Sequence, residues 1–325
     1  MTKVLLIDPA LAVGMDRFRQ TLPALVEIAA TTSFDDDELA RLAADADILI
    51  NARRRIDAAM LALAPRVRFI QLIGIGYDTV DVAAVASAGI TVAYNPGVNA
   101  TGVAEQTVML MLALVKRLPW SEQSSRAGQF ATAELIGAGI DDFAGATVGL
   151  IGMGDIGTAV AERLIPFGPR VVYSSRRRRQ ANEETRLGAT WLPLADLLHE
   201  SNIVSLHLPL TPETYHLLGD EELAAMPKGS YLINTARGGL VDEAALRRAI
   251  VREHLRGAAL DVLEHETDGR NPFADLPAVI VTPHLGGGSR GSVSRMVERS
   301  VTNISRFLAG EPVQDVIPGL AQANS

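Results

Sequence analysis

Short β-branched and Leu-rich runs alternate with Ala-rich segments of helical periodicity along almost the whole chain. The runs Val4–Ile7, Ile48–Ile50, Phe69–Ile73 and Ile90–Ala93 form one block. A second block holds Val148–Ile151, Arg170–Tyr173, Ile203–Leu206, Tyr231–Asn234, Gly257–Leu260 and Val279–Thr282. Alternation of this kind specifies parallel sheets with helices on both faces. One open sheet holding all these strands would be unusually wide, so the pattern predicts an α/β chain with two doubly wound parallel-sheet domains. The 325 residues agree with that number, at roughly 150 residues per domain. The stretch from Leu118 to Gly145 carries neither pattern and reads as irregular. A C-terminal helix over residues 292–309 follows the turn Gly286–Gly288, which serves as a hinge returning the chain to the first block.

Composition removes several classes of function. Acidic residues outnumber basic ones 38 to 30, a net charge of -8, which is the wrong sign for a nucleic-acid or anionic-membrane partner. Cysteine is absent, which excludes disulfide scaffolds, thiolate metal sites and cysteine nucleophiles; redox chemistry would need a cofactor. The segment Met1–Asp8 reads as a strand and turn rather than a signal peptide, so a cytoplasmic location is expected. The most apolar stretch, Val103–Val115, is broken by Glu105 and Gln106 and falls short of the ~20 residues that span a bilayer. It reads as a buried helix, apolar all round from Val108 to Val115, whose burial calls for packing between domains or subunits. No cluster of His and acids has metal-ligand spacing, so no metal is expected, and no G-x-S-x-G elbow occurs.

The motif Gly152-Met-Gly154-Asp-Ile-Gly157 places G-x-G-x-x-G between the apolar run Val148–Ile151 and a helix from Thr158 to Leu164. Gly152 allows the tight turn, Gly154 lets the backbone approach a pyrophosphate, and Gly157 permits close helix-to-strand packing. The helix N-terminus then faces the phosphates, with Asp155 turned to solvent beside Ile156. The next strand discriminates between dinucleotides, because a carboxylate at its end would bind the ribose 2′-hydroxyl of NAD, whereas arginine accommodates the 2′-phosphate of NADP. Here Tyr173 is followed by Ser174, Ser175 and four arginines, 176–179. Ser175 occupies the diagnostic place, and Arg176 and Arg177 can bond a phosphate. NADP is the expected cofactor, with NAD as the alternative.

Three further pieces, Asn234-Thr-Ala-Arg237-Gly238, Ala259-Leu-Asp261-Val-Leu-Glu-His-Glu266 and Val281-Thr-Pro-His284, resemble the D-isomer-specific 2-hydroxyacid dehydrogenases. Gly74-Ile-Gly76-Tyr-Asp78, Asn95-Pro-Gly97, Val103-Ala-Glu105 and Leu206-His-Leu-Pro-Leu-Thr-Pro-Glu-Thr214 extend the likeness over nearly the whole chain. The strand end and the Gly-rich turn after His284 are most similar to the NADPH-dependent glyoxylate/hydroxypyruvate reductase branch, which includes hydroxyphenylpyruvate reductases. The resemblance implies a Rossmann nucleotide domain, residues 100–288, inserted into a flavodoxin-like substrate domain made of 1–99 and 289–325.

It implies an enzyme that reduces a small 2-oxo acid, glyoxylate or hydroxypyruvate, to the D-2-hydroxy acid with NADPH. Arg237 would hold the substrate carboxylate through its rigid fork, and His284 would protonate the carbonyl oxygen. A carboxylate from Glu266 would orient the imidazole; Glu264 lies nearby, and Thr267 replaces the family's usual proline after the glutamate. Asp261 would bind the nicotinamide carboxamide, and backbone N–H groups of Gly74, Ile75 and Gly76 the substrate. His207, Pro209, Thr214, Thr235, Ala236 and Gly286 would border the cofactor, and His199, His216, His254 and His265 read as surface or structural.

Arg53-Arg54-Arg55 follows the run Ile48–Ile50 and reads first as a solvated edge; the alternative is that one of them, Arg53 above all, brings an uncompensated charge to the distal end of a polar substrate. A homodimer is expected. The competing readings are a dinucleotide-sensing co-repressor, or a dehydrogenase for 3-phosphoglycerate, 2-ketogluconate or hydroxyphenylpyruvate. The first lacks long recruiting tails here, and for the phosphoglycerate enzyme no regulatory domain follows Ser325.

Overall fold

The computed structural model describes residues 2–320. Two compact units emerge, one joining 1–99 to 290–325 and the other taking 100–289.

The first unit is built on β1 (Thr2–Leu6), β2 (Val26–Ala30), β3 (Ile48–Asn51), β4 (Phe69–Leu72) and β5 (Thr91–Ala93), all parallel in the order β2-β1-β3-β4-β5. Side chains alternate between two cores, Leu5, Leu49, Ile70 and Val92 on one face and Val4, Leu6, Ile48 and Phe69 on the other. That two-sided burial is why the strands read as continuous apolar runs. β2 escapes the sequence pattern because it is a half-buried edge strand containing Glu27. Its helices are α1 (Met15–Thr21), α2 (Asp36–Ala43), α3 (Ala58–Ala62) and α4 (Val82–Ser87). Asp35, Asp57 and Asp81 cap α2, α3 and α4 by accepting first-turn N–H bonds, each worth about 1 kcal/mol.

The second unit begins with α5 (Ala100–Val115), α6 (Leu118–Arg126) and α7 (Thr132–Gly137). The stretch 118–145 is therefore not irregular throughout. Its helices are short, and α6 starts at Leu118-Pro119 behind a left-handed Arg117, so neither produces a sustained apolar stripe. The expectation for α5 is also corrected. The helix packs on its own unit, with Val108, Leu110, Met111 and Leu114 in one cluster with Val148, Val160 and Ile233, so no second domain or subunit is needed to bury most of it. Met109 remains 48% exposed.

The unit continues through β6 (Thr147–Ile151), α8 (Asp155–Leu164), β7 (Arg170–Ser174), α9 (Ala181–Leu187), β8 (Ala189–Trp191), α10 (Leu194–Glu200) and β9 (Ile203–Leu206). It closes with α11 (Asp220–Ala225), β10 (Tyr231–Asn234), α12 (Glu243–Val251), β11 (Gly257–Leu260) and β12 (Val279–Val281). The strand order is β12-β11-β10-β9-β6-β7-β8, all parallel. Three-residue β8, Ala-Thr-Trp, lies at one edge with only Ala189 buried, so it carries no apolar run to read in sequence. α8 opens at Asp155, one turn before the expected Thr158, because Gly154 already serves as its N-cap. The order reverses between β6 and β9, and open α/β sheets hold ligands beyond the carboxyl ends of strands at such a reversal.

The last helix, α13 (Arg290–Leu308), belongs to the first unit. Val297, Val301 and Ile304 pack against Ile48, Ile50 and Phe69. Buried Asn303 donates to Gln71 at 3.1 Å, and Asn95 donates to Ser300 at 3.0 Å, so polar groups on this face are satisfied inside the unit.

Candidate active site

Three glycines after β6 have three different reasons to be glycine. Gly152 has φ +101°, and a Cβ there would lie 2.2 Å from the His207 carbonyl oxygen. A Cβ on Gly157 would lie 2.2 Å from the Gly152 carbonyl oxygen, whereas one on Gly154 would meet nothing within 4 Å. The first two thus close the turn onto its surroundings and the third leaves backbone open, as a pyrophosphate site requires. Asp155, at the start of α8, is exposed and Ile156 packs toward the core.

Beside the turn lies a cavity of about 1190 Å³. Gly152, Gly154, Ser174 and Ser175 line one side, Arg176 and Arg177 the rim, and His207, Pro209 and Thr214 the other side. These elements are stitched together: the Gly152 N–H donates to the Ser174 carbonyl at 2.8 Å, and the Thr214 hydroxyl donates to the Pro209 carbonyl at 2.8 Å. His207 is 9% exposed, its Nε2 is 2.9 Å from the Ser205 hydroxyl, and burial pushes its pKa down to about 3. It is neutral at any working pH, and its backbone shapes the cavity.

Arg237 follows β10, Glu266 follows β11 and His284 follows β12, so three neighbouring parallel strands deliver the predicted catalytic residues from their carboxyl ends. His284 Nδ1 lies 2.9 and 3.1 Å from the two carboxylate oxygens of Glu266. Glu264 points elsewhere, accepting from the Tyr215 hydroxyl at 2.7 Å and lying 3.2 Å from His216 Nε2. Arg237 is half-buried and one guanidinium nitrogen donates to the Ala236 carbonyl at 2.7 Å. A Cβ on Gly238 would lie 2.0 Å from the Leu263 carbonyl carbon, which explains the glycine after Arg237.

Asp261, 2% exposed, is engaged within the protein. Its carboxylate accepts from the N–H groups of Leu285 at 2.9 Å and Gly286 at 2.7 Å and from the Thr282 hydroxyl. Its carbonyl accepts the His284 N–H at 2.9 Å. Sequence reasoning missed Gln106, which reaches Thr282 at 3.2 Å and Asp261 at 3.4 Å; it sits directly after the motif Val103-Ala-Glu105. Thr235 turns its hydroxyl to Thr107 at 2.8 Å, and neither it nor Ala236 borders the cavity.

Gly74, Ile75 and Gly76 form a half-buried turn after β4 in the first unit. Arg53 is in that unit too, and its charge is not uncompensated: it donates to both oxygens of fully buried Asp8 at 3.0 Å. Nor is the arginine run a solvated edge throughout, since Arg54 is 8% exposed and pairs with Asp36 at 2.9 Å. The partners lie 45 and 18 residues away in sequence, beyond any local pattern. Among the described residues there is no group of His, Asp and Glu that could hold a metal, and no helix long and apolar enough to cross a membrane.

A glycine-lined phosphate turn at the reversal of a parallel sheet, with a His–Glu pair at the ends of neighbouring strands, defines a nucleotide-dependent dehydrogenase with a Rossmann fold. Residues 108–286 match the NAD binding domain of the D-isomer specific 2-hydroxyacid dehydrogenases. The chain is 38% identical over 259 residues to a glyoxylate reductase of Korarchaeum cryptofilum, covering 79% of this chain and 77% of that one. It is 37% identical over 297 residues to a D-3-phosphoglycerate dehydrogenase of Mycobacterium tuberculosis, covering 90% of this chain but 55% of that one. The structure of Aquifex aeolicus D-lactate dehydrogenase, complexed with NAD and lactic acid, superposes with a TM-score of 0.81 at 30% identity, over 95% of this chain and 96% of that one. The chain belongs to the D-isomer-specific 2-hydroxyacid dehydrogenase family, and it is an NAD(P)-dependent oxidoreductase.

Proposed function

We propose that the protein reduces a small 2-oxo acid of the glyoxylate or hydroxypyruvate class to the D-2-hydroxy acid, with NADPH as the preferred cofactor. The His284–Glu266 pair carries the reading. With Nδ1 engaged by the carboxylate, the imidazole keeps Nε2 for the substrate, and a protonated ring gives that proton to the carbonyl oxygen as negative charge develops there. Arg237 binds the substrate carboxylate and polarises the carbonyl through its guanidinium fork. The bound nicotinamide supplies the hydride. In the reverse direction His284 takes the hydroxyl proton. Residues around Gly154 and the N-terminus of α8 hold the pyrophosphate, and Arg176 and Arg177, both exposed at the rim with no ion pair among the described residues, favour a 2′-phosphate.

Turnover measured with NADPH and NADH on glyoxylate, hydroxypyruvate, 3-phosphohydroxypyruvate and phenylpyruvate tests each part. Highest kcat/KM on the first two with NADPH is expected. A clear maximum on the phosphorylated or aromatic substrate reassigns the substrate, and no turnover on any of them removes the activity.

A homodimer goes with this reading. Most of the exposed large apolar side chains of the second unit fall between residues 109 and 167: Met109, Leu118, Phe130, Ile136, Ile140, Ile165 and Phe167, with Tyr215, Val251 and Leu285 beyond. Met109, Leu118 and Phe167 border one apolar groove, the kind of surface that a second copy covers. Sedimentation at micromolar concentration is expected to give twice the 34.6 kDa of one chain.

A further inference from the structure

The four consecutive arginines after β7 have divided fates. Arg176 and Arg177 are exposed at the cavity rim, while Arg178 and Arg179 are engaged by the protein itself. Arg178 makes a two-pronged bond to Glu184 of α9, 2.9 Å on each side. Arg179 reaches across to the Met153 carbonyl, inside the Gly-rich turn, through two of its nitrogens. Between them stands Tyr173, the largest fully buried side chain. Its hydroxyl accepts the Arg179 backbone N–H at 2.7 Å and donates to Glu184 at 2.9 Å. The loop is thus tied at Arg178 and Arg179 to a buried phenol and a helical carboxylate. Arg178 holds the Glu184 carboxyl below its usual range, so it is ionised.

We propose that the Tyr173–Glu184–Arg178 brace is a selectivity device: it positions Arg176 and Arg177 for a ribose 2′-phosphate and neutralises an acid that would otherwise repel that phosphate. The inference rests on the NADPH reading and adds three residues to it, of which Arg178 lines the cavity while Tyr173 and Glu184 lie behind its lining. Two physical effects act together. Ordering a loop in advance lowers the entropy lost when a ligand binds it. The paired carboxylate of Glu184, with 12% of its side chain exposed, presents little net charge to the site, whereas an unpaired one would oppose a phosphate. A hydroxyl-bearing ribose carries no such charge and depends on the brace far less.

The test uses the full chain without turnover: titration calorimetry with 2′,5′-ADP and with 5′-AMP, on wild type, Tyr173→Phe and Arg178→Ala, alongside KM for NADPH and NADH. Wild type binds 2′,5′-ADP more tightly than 5′-AMP. Each variant weakens 2′,5′-ADP about 10-fold, the scale of one lost charge-assisted hydrogen bond, leaves 5′-AMP within about 2-fold, and raises KM for NADPH with kcat unchanged. Equal weakening of both probes identifies general damage to the loop and overturns the inference, as does no change in either. A wild type that binds the two probes equally overturns the NADPH reading, and the brace with it. Should Tyr173→Phe fail to fold, exposed Arg178→Ala carries the same comparison.

Discussion

His284 Nδ1 lies 2.9 Å from one Glu266 carboxylate oxygen and 3.1 Å from the other. The residue that makes this contact has φ +54°, a left-handed backbone that costs a non-glycine residue about 1 kcal/mol. Three neighbouring N–H groups hold it there: His284 donates to the Asp261 carbonyl, and Leu285 and Gly286 to its carboxylate. Asp261 therefore fixes the backbone and Glu266 the ring, which is the double restraint that a proton donor needs to meet a substrate oxygen in one geometry.

Replacing His284 by Ala is expected to lower kcat by about 10²- to 10⁴-fold, with NADPH affinity nearly unchanged. Glu266→Gln keeps a hydrogen-bonding group beside the ring and should cost less. Steady-state kinetics with a separate fluorescence titration of NADPH checks both. A His284→Ala enzyme that retains most of its kcat would remove the imidazole from the chemistry.

The glycines separate fold from binding. Gly152→Ala and Gly157→Ala each force a Cβ to 2.2 Å from a backbone oxygen, and are expected to destabilise the chain by roughly 1 to 3 kcal/mol or more. Gly154→Ala adds its methyl to open space, so thermal unfolding should stay near wild type while nucleotide binding weakens. Comparable losses of Tm in all three would contradict the distinction.

Ser175→Asp with Arg176→Ala places an acid where the strand end now has none and removes one cation from the rim. The ratio of kcat/KM for NADPH to that for NADH should fall by about 10²-fold, the combined scale of a lost phosphate bond and a new like-charge contact. An unchanged ratio places the selectivity elsewhere.

Buried His207, with its pKa lowered to about 3, links stability to pH. Between its folded value and the unfolded value of about 6.5, the unfolded chain binds the extra proton, so stability falls as pH falls through that window, by at most about 1.4 kcal/mol per unit. His207→Gln removes the titration and preserves a hydrogen-bonding group toward Ser205. Urea unfolding without nucleotide at pH 6.5 and pH 5 should show wild type losing about 1.6 kcal/mol more than the variant. Parallel losses would mean that His207 is protonated in the folded state.

The parallel sheets and the phosphate turn are legible in the sequence because each rests on a local signal: two-sided burial makes an apolar run, and a backbone too close for a Cβ makes an obligatory glycine. Arg237 and His284 stand out in the sequence through the resemblance of their motifs to the family. Edge strands β2 and β8 and helices α6 and α7 give weaker signals because they bury little. The resemblance favours Glu266 over Glu264, but which carboxylate meets the imidazole is visible only in the tertiary structure. Two residues apart, they face different partners, Tyr215 and His216 for one and His284 for the other. The same holds for the arginines. A run of like charges looks uniform in sequence, yet Arg53 answers to Asp8, Arg54 to Asp36 and Arg178 to Glu184. A charge acquires its role from the opposite charge that folding brings within reach, and no local spacing records which one that is.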